Sequence, residues 1–293
     1  MISGPRRKKR EGLKVTIEPF RNASDYEVCT EIQREVWRFD DIDLVPAPVL
    51  RVTGEYGGIL LGAYNKLGEM IGFAASFLGC DEGELIQHSH MLAVRAAYRN
   101  FDVGYKLKLA QRKEALLRKI RTIHWTFDPM QPTNAYFNLG KLGAWANVYR
   151  ENYYGESSSP LHRGLPTDRL LARWQLESRP VRARLEQGPV ERDLRKELAR
   201  CPVVNSLVEV APGMATCSRL RIGASAPVLL FEVPPNLSEI KSSNLGVALE
   251  WQGKMRQVFR TCFNKGYTAT DFWMADDEGR RRAFYVLEKL NAG

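Results

Sequence analysis

The sequence predicts a mixed α+β protein with two folded units, and three observations carry this prediction. Strand-like and helix-like segments alternate along residues 13–178. The strand candidates 58–64 and 70–78 are joined by the short glycine-containing connection NKLGE, which is typical of a β-hairpin, so the sheet is expected to be mostly antiparallel. From about Ser178 this alternation gives way to the strongly charged segment RPVRARLEQGPVERDLRKELAR, which indicates a linker or helix leading into a smaller second unit.

The first unit is predicted to span residues 13–178, after a basic tail at 1–12. Its order is a strand in LKVTIEPF, a helix in SDYEVCTEIQREVWRF, a short helix from Pro46 to about Val52 and the hairpin. A strand in ELIQHSHMLAV, a helix in GYKLKLAQRKEALLRKI and a strand in RTIHWTFDP follow. TNAYFNLGKLG is a short helix closed by Gly143, and AWANVYRENYYG and DRLLARWQLES are the last strands, separated by the loop ESSSPLHRGLPT.

The second unit, residues 179–293, is predicted to be a smaller α+β unit. It contains a strand in APVLLFEVPP, a long amphipathic helix in SNLGVALEWQGKMRQVFRTCFNKG, and a hairpin of YTATDFWMA and RAFYVLEKL over DDEG. The apolar stripe of the helix is expected to consist of Leu245, Leu249, Met255, Val258, Phe259 and Cys262. Such a unit needs a partner surface, and we expect the first unit to supply it or a homodimer to form.

Charge and cysteine content narrow the class of protein. The chain of 293 residues has a formal net charge of +9, which falls to about +4 outside the run Arg6–Arg10. We expect the run to be a solvated tail and not a nucleic-acid site, because a mildly basic fold suits an anionic cofactor better than DNA. The longest apolar run is broken by Asn65, Lys66 and Glu69, so no membrane span is expected. The five cysteines show no C-x-x-C pair, which predicts a reducing, cytoplasmic setting and no metal site.

The central segment MLAVRAAYRNFDVGYKLK is a strand, a turn and the start of a helix. A helix N-terminus that follows a strand offers backbone N–H groups and a positive dipole end to a phosphate. Arg99 adds positive charge, and Gly104 lets the backbone approach closely, although Asp102 stands where such a turn would favour glycine. The alternative is a solvated loop arginine and a helix-start glycine without a chemical role.

This segment resembles the acetyl-CoA segment of the GNAT superfamily of N-acetyltransferases. In that family a hydrophobic strand ends at Val-x-x-x-Tyr/Phe-Arg and is followed by Arg/Gln-x-x-Gly-x-Gly/Ala. Val94, Tyr98, Arg99 and Gly104 match, whereas Asp102 replaces the first glycine. NAYFNLGKLGA, residues 134–144, resembles the later helix beside the pantetheine arm. The resemblance covers roughly residues 13–178, and with WTFDP and GLPTDR the chain is similar to a bacterial group of predicted GNAT proteins.

The resemblance implies a central, mostly antiparallel sheet that is flanked by helices and splayed between HSHMLAV and IHWTFD. Acetyl-CoA, or another acyl-CoA, would lie in the splay as co-substrate, without a metal. The implied cofactor-binding residues are Leu92, Ala93 and Val94 for the pantetheine, Arg99, Asn100, Phe101, Asp102, Val103, Gly104 and Tyr105 for the pyrophosphate, and Asn134 in the later helix. The implied function is acyl transfer to an amine by direct attack on the thioester. The alternative is a non-catalytic acyl-CoA-binding or protein-interaction module with a degenerate GNAT fold.

Acyl transfer to an amine needs a base for the ammonium proton and an acid for the departing thiolate. His88 and His90, two apart on one strand, and His124 on another are candidate bases, because imidazole titrates near neutrality. A half-buried structural histidine is the alternative for each. Asp128 is a second candidate, as base or amine anchor, against the alternative of a turn residue ahead of Pro129.

The acid and the acceptor site are less well marked. Many GNAT enzymes carry a tyrosine four residues before the glycine of the Leu-Gly pair, and counted from Gly143 that position is Leu139. Tyr136 is nearby, and a solvent proton is the alternative. The loop Tyr153–Arg169 is expected to select the substrate amine, with Asp168 and Arg169 as binding residues or as partners of other charges. The identity of the amine is not indicated.

Overall fold

The structure, a computed structural model, describes residues 13–155, 159, 164–190, 192–223 and 226–290. The predicted basic tail 1–12 lies outside the described residues, as does most of the loop ESSSPLHRGLPT. The chain divides into two compact units, residues 1–120 and 121–293. The boundary predicted after residue 178 stays a prediction.

The first unit is a four-stranded antiparallel sheet with three α-helices. Its strands are β1 (Thr16–Pro19), β2 (Ile59–Tyr64), β3 (Met70–Asp81) and β4 (Glu84–Val94), and its helices are α1 (Ala23–Trp37), α2 (Ala47–Glu55) and α3 (Val103–Leu117). The strands pair in the order β1–β2–β3–β4, so the predicted hairpin is present. α1 begins where the side chain of Asn22 accepts a hydrogen bond from the backbone N–H of Asp25.

β4 contributes side chains to both faces of the sheet, because successive residues of a strand point to opposite faces. Met91 and Ala93 belong to an apolar core that includes Cys29 and Ile32 of α1. Leu92 and Val94 instead approach Gly104 at the start of α3. Both faces of β4 therefore pack against other residues of the first unit close to the predicted anion site.

β4 is irregular at one position. Ala75 pairs with Met91, but the next residue of β3, Ser76, pairs with Ser89, so His90 is an inserted residue in a β-bulge. A bulge bends the strand and redirects the side chain that it inserts. The expected regular strand therefore breaks at one of the candidate catalytic residues.

The second unit contains two larger antiparallel sheets and a small hairpin. Its strands are β5 (Thr122–Phe127), β6 (Tyr149–Arg150), β7 (Arg169–Gln175), β8 (Asn205–Ala211), β9 (Met214–Leu220), β10 (Val228–Val233), β11 (Tyr267–Asp277) and β12 (Arg280–Lys289). Its helices are α4 (Pro132–Ala135), a π-helical turn (Tyr136–Lys141), α5 (Arg179–Gln187), α6 (Leu194–Arg200), α7 (Leu237–Ser243) and α8 (Leu245–Asn264). The pairing orders are β5–β7–β6, β10–β12–β11 and β8–β9.

Residues 145 and 146 connect the two larger sheets of this unit. Trp145 and Arg173 exchange backbone hydrogen bonds of 3.0 and 2.8 Å, and Ala146 and Ala269 exchange bonds of 2.9 and 2.8 Å. The segment AWANVYRENYYG, predicted as a strand, forms regular strand only at Tyr149–Arg150, because these two bridges divide its pairing between different partners.

α8 buries most of its predicted stripe, but not the first turns. Met255, Val258, Phe259 and Cys262 are fully buried, whereas Leu245 and Leu249 are 48% and 46% exposed. Trp251 occupies the buried face instead, and its indole N–H donates to the carbonyl of Ala215 at 2.8 Å. The prediction for the first two leucines was wrong, because the buried face of the helix is set by its packing on the sheets.

The predicted fold class is confirmed: the protein is mixed α/β, with a mostly antiparallel sheet flanked by helices and additional C-terminal sheets. The predicted final hairpin is present as β11 and β12. The β8–β9 hairpin and α7 were not predicted. Within the described ranges, no helix is both long enough and apolar enough to cross a membrane.

Candidate functional site

The connection from β4 to α3 has the left-handed backbone that a tight turn requires. It contains a short 3-10 turn at Ala96–Tyr98, followed by Asn100 and Asp102 with φ of 67° and 58°. Asn and Asp adopt this region more readily than other non-glycine residues. The turn is therefore formed with Asp102 in the place where glycine was expected.

The first turn of α3 contains Gly104 and backbone N–H groups that precede the first helical hydrogen bond. Helix pairing begins when the N–H of Lys106 donates to the carbonyl of Asp102 at 2.9 Å, and the N–H groups before it lie at the positive end of the helix dipole. A β-carbon at Gly104 would lie 3.9 Å from Cδ2 of Leu92 and 4.0 Å from Cγ2 of Val94. The first unit itself therefore does not require glycine at this position.

Charged side chains near the turn differ in accessibility. Arg99 is exposed, and its Nε donates to the carbonyl of Val94 at 3.2 Å, which holds the guanidinium beside the end of β4. Lys108 is buried, and its Nζ donates to Oε1 of Gln111 at 2.8 Å and to Oγ of Ser89 at 3.3 Å. Burial lowers the pKa of Lys108 well below its usual value. Arg99, and not Lys108, therefore exposes its charge to solvent near the turn.

The rings of His88 and His90 lie near each other despite the bulge, with centroids 6.4 Å apart. The ring of Phe77 stacks on His88 with centroids 5.0 Å apart and lies 5.8 Å from the ring of His90. His90 remains exposed to solvent, yet the atoms around its imidazole lower its pKa by desolvation. A lowered pKa keeps the imidazole neutral near pH 7, which is the form that can accept a proton.

The other histidine and the aspartate after β5 are buried. His124 is 5% exposed on β5, opposite Arg173 of β7. Asp128 accepts hydrogen bonds from Nζ of Lys241 at 2.5 Å and from the backbone N–H of Met130 at 2.8 Å. Burial alone would raise the pKa of Asp128, but Lys241, Arg169 and the backbone N–H of Met130 together outweigh it, and the pKa is lowered. The turn-residue alternative matches this geometry, and the role of base or amine anchor stays a prediction.

Tyr136 begins the π-helical turn and is half-buried, whereas Leu139 is fully buried. A second Leu-Gly pair, Leu139 and Gly140, lies in this turn, and Tyr136 is four residues before its glycine. The sequence analysis counted from Gly143 and missed this register. Asn134, exposed in the preceding turn, donates to Oε1 of Gln131 at 2.8 Å.

Asp168 is occupied by protein groups. Nε and Nη2 of Arg256 donate to its two carboxylate oxygens at 2.6 and 2.9 Å, and the hydroxyl of Tyr149 donates at 2.7 Å. The carboxylate is 2% exposed, so the alternative of pairing with another charge describes it. Arg169 is less buried, donates to the carbonyl of Asp168 at 2.9 Å and lies over the ring of Tyr154.

The partners of the two buried carboxylates were missed by the sequence analysis. Lys241 and Arg256 are 113 and 88 residues from Asp128 and Asp168, respectively. No local pattern marks such a pair. The only signal in the sequence is that Lys241 and Arg256 each lie in a helical segment that also contains apolar residues.

Comparison with known proteins returns solved structures that include several acetyltransferases. No protein-family model matches the chain. No curated protein matches it either. A GNAT-family protein from Desulfovibrio desulfuricans is 14% identical, with 56% of this chain and 99% of that chain covered and a TM-score of 0.43.

Two further solved structures have the same extent of similarity. A GNAT-family acetyltransferase from Staphylococcus aureus Mu50 is 19% identical over 56% of this chain and 100% of its own, with a TM-score of 0.42. An aminoglycoside 6'-N-acetyltransferase complexed with coenzyme A is 16% identical over 56% and 99%, with a TM-score of 0.42. These neighbours are acetyltransferases of the superfamily that the motifs resemble.

Proposed function

We propose that the protein is an acyl-CoA-dependent N-acyltransferase, with acetyl-CoA as the expected donor and an amine as acceptor. The observation that carries the proposal is the exposed β4–α3 connection. It combines a left-handed turn at Asn100 and Asp102, a helix N-terminus and a glycine, Gly104, in the first turn of the helix. Backbone N–H groups at a helix start fit a pyrophosphate, and glycine allows that group to approach closely.

In this proposal the backbone of Leu92, Ala93 and Val94 holds the pantetheine, and residues 99–105 hold the pyrophosphate. The acceptor nitrogen loses a proton, attacks the thioester carbonyl and forms a tetrahedral intermediate, which collapses with release of the thiolate. His90 is the preferred proton acceptor, because it is solvent-accessible and its pKa is lowered. Tyr136 is the candidate that returns a proton to the thiolate.

The decisive experiment measures free thiol formed from acetyl-CoA over a panel of amines, with binding followed separately by thermal shift. We expect thiol release with at least one amine. Gly104→Val should weaken acetyl-CoA binding, because the added side chain occupies the space in front of the helix start. Gly104→Ala is the matched control for folding, since its β-carbon meets only ordinary contacts in the first unit. Absence of both binding and thiol release would refute the proposal.

A second candidate function is a non-catalytic acyl-CoA-binding module. It is favoured by Asp102, whose carboxylate puts a negative charge beside the proposed pyrophosphate position. Binding of acetyl-CoA without thiol release across the amine panel would support this function. Cytoplasmic localisation and a homodimer stay predictions.

A further inference from the structure

Two connections of the second unit meet at one end of the β5–β7 ladder. Phe127, the last residue of β5, pairs with Leu170, the second residue of β7. The turn 128–130 after β5 and the segment 164–168 before β7 are therefore at the same end of this ladder. Asp128 and the loop ending at Arg169 are the residues for which an acceptor-binding role was predicted.

The turn after β5 is held by two buried side chains from far along the chain. Nζ of Lys241, in α7, bonds Oδ2 of Asp128 at 2.5 Å, and both residues are 8% exposed. The hydroxyl of Tyr285, in β12, donates to the carbonyl of Pro129 at 2.7 Å. The same turn thus receives one charged and one neutral contact.

The segment before β7 is held by one face of α8. Nε2 of Gln252 donates to the carbonyl of Pro166 at 2.7 Å, and Arg256 binds both oxygens of Asp168. Gln252 and Arg256 are four residues apart, so they lie on the same side of the helix. We name Lys241, Gln252, Arg256 and Tyr285 the C-terminal clamp.

The electrostatics make the two charged contacts hard to replace. Asp128 and Asp168 are 8% and 2% exposed, so each needs a cation in place. Hydrogen bonding to Asp168 raises the pKa of Arg256, and Lys241 holds the pKa of Asp128 below its usual value. Arg256 therefore stays protonated and Asp128 stays ionised at neutral pH, and the two pairs fix the backbone on either side of the ladder end.

We infer that the C-terminal clamp positions the acceptor amine of the reaction, with Lys241 and Arg256 as positioning residues. This inference rests on the proposed function. The clamp contacts no acyl donor in it; it fixes the turn 128–130 and the segment 164–168 against which the acceptor would bind. The C-terminal segment is thereby part of the acceptor side and not an independent appendage.

The test compares Arg256→Met and Arg256→Lys in the full-length chain. We expect Arg256→Met to raise the KM for the acceptor about tenfold or more and to change the KM for acetyl-CoA less than about twofold. Arg256→Lys should recover part of the loss, because it restores the charge but not the two-point geometry. The matched control is Arg260→Met, one turn further along α8, since Arg260 is largely exposed and pairs with Glu151.

A second pair of variants distinguishes a loss of positioning from a failure to fold. Lys241→Met leaves Asp128 as a buried charge, whereas the double variant Asp128→Asn with Lys241→Met removes both charges and should fold. We expect the double variant to show the same selective rise in acceptor KM. Equal effects on both KM values, or an effect on kcat alone, would overturn the inference.

Amide hydrogen exchange separates this inference from the proposed function. We expect faster exchange at Met130 in the Lys241 variants and at Asn152 in Arg256→Met, because these N–H groups donate to Asp128 and Asp168. If the wild type releases no thiol with any amine, the proposed function fails, and with it the acceptor role. Unchanged exchange at both amides would refute the clamp itself, whatever the activity.

Discussion

Tyr136 packs against Gly140 so closely that a β-carbon at Gly140 would lie 3.0 Å from Cδ2 of the tyrosine ring. The same β-carbon would lie 2.9 Å from the carbonyl oxygen of Phe272. Backbone on one side and an aromatic ring on the other leave room for glycine only. The π-helical turn, the ring position and Gly140 are therefore coupled.

Gly140→Ala should destabilise the protein by about 1–3 kcal/mol, because overpacking forces the ring or the backbone to move. Chemical denaturation followed by tryptophan fluorescence measures this change. Gly104→Ala serves as the control, since its β-carbon has space and no large loss is expected. Equal stabilities of Gly140→Ala and wild type would show that the turn shifts without cost.

Tyr136→Phe should lower kcat at least about tenfold while leaving the KM for acetyl-CoA unchanged, because only the proton donor is removed. Thiol release under saturating acetyl-CoA is the measurement. Tyr56→Phe is the control, since Tyr56 is 76% exposed and has no role in the proposed reaction. A kcat equal to that of the wild type would assign the proton to solvent.

Asp102→Gly should tighten acetyl-CoA binding, because it removes a negative charge beside the proposed pyrophosphate position and keeps a left-handed φ that glycine favours. Isothermal titration calorimetry measures the dissociation constant. Asn100→Gly is the matched control, since Asn100 has a similar φ of 67° but no charge. Unchanged or weaker binding in Asp102→Gly alone would show that the carboxylate has another role.

His90 predicts a specific pH dependence. Desolvation lowers the pKa of His90 below the usual 6.5, so the neutral imidazole predominates at every pH above this lowered pKa. The value of kcat/KM should therefore fall as the pH drops through the lowered pKa. His90→Gln should abolish this acidic limb. His88→Gln, two residues earlier on the strand, should keep it. The reverse pattern in the two variants would make His88 the base.

Lys108 predicts a pH dependence of stability. Its pKa is lowered well below 10.5 by burial, so the unfolded chain binds the proton over a pH range in which the folded protein does not. The difference in free energy of unfolding between wild type and Lys108→Met should therefore increase with pH below 10.5, by at most about 1.4 kcal/mol per pH unit. Urea titrations at several pH values measure it. A difference that stays constant with pH would show that the buried amine remains charged.

The sequence predicted the β4–α3 connection well because its information is local. Strand alternation, the glycine and the helix period lie within about 25 consecutive residues. The left-handed Asp102 also follows from residue type. The β-bulge at His90 does not, because it depends on how Ser76 and Ser89 pair across the sheet.

The acceptor-side residues were predicted less completely for the same physical reason. Asp128 and Asp168 stand at strand ends, which the sequence marks, but their partners come from helices about a hundred residues later along the chain. A polar residue in an amphipathic helix looks the same whether it faces solvent or a buried carboxylate. Leu245 and Leu249 show the opposite case, because they belong to the apolar pattern of the helix and yet are about half exposed.

The two backbone hydrogen bonds between Ala146 and Ala269 limit where the chain can be cut without exposing backbone groups. A fragment ending at residue 178 would lose the strand that satisfies the backbone of Ala146. An uncovered strand edge is a template for pairing with other chains, so such a fragment is expected to aggregate. Proteolysis or truncation at the charged segment after β7 is thus expected to yield an insoluble product.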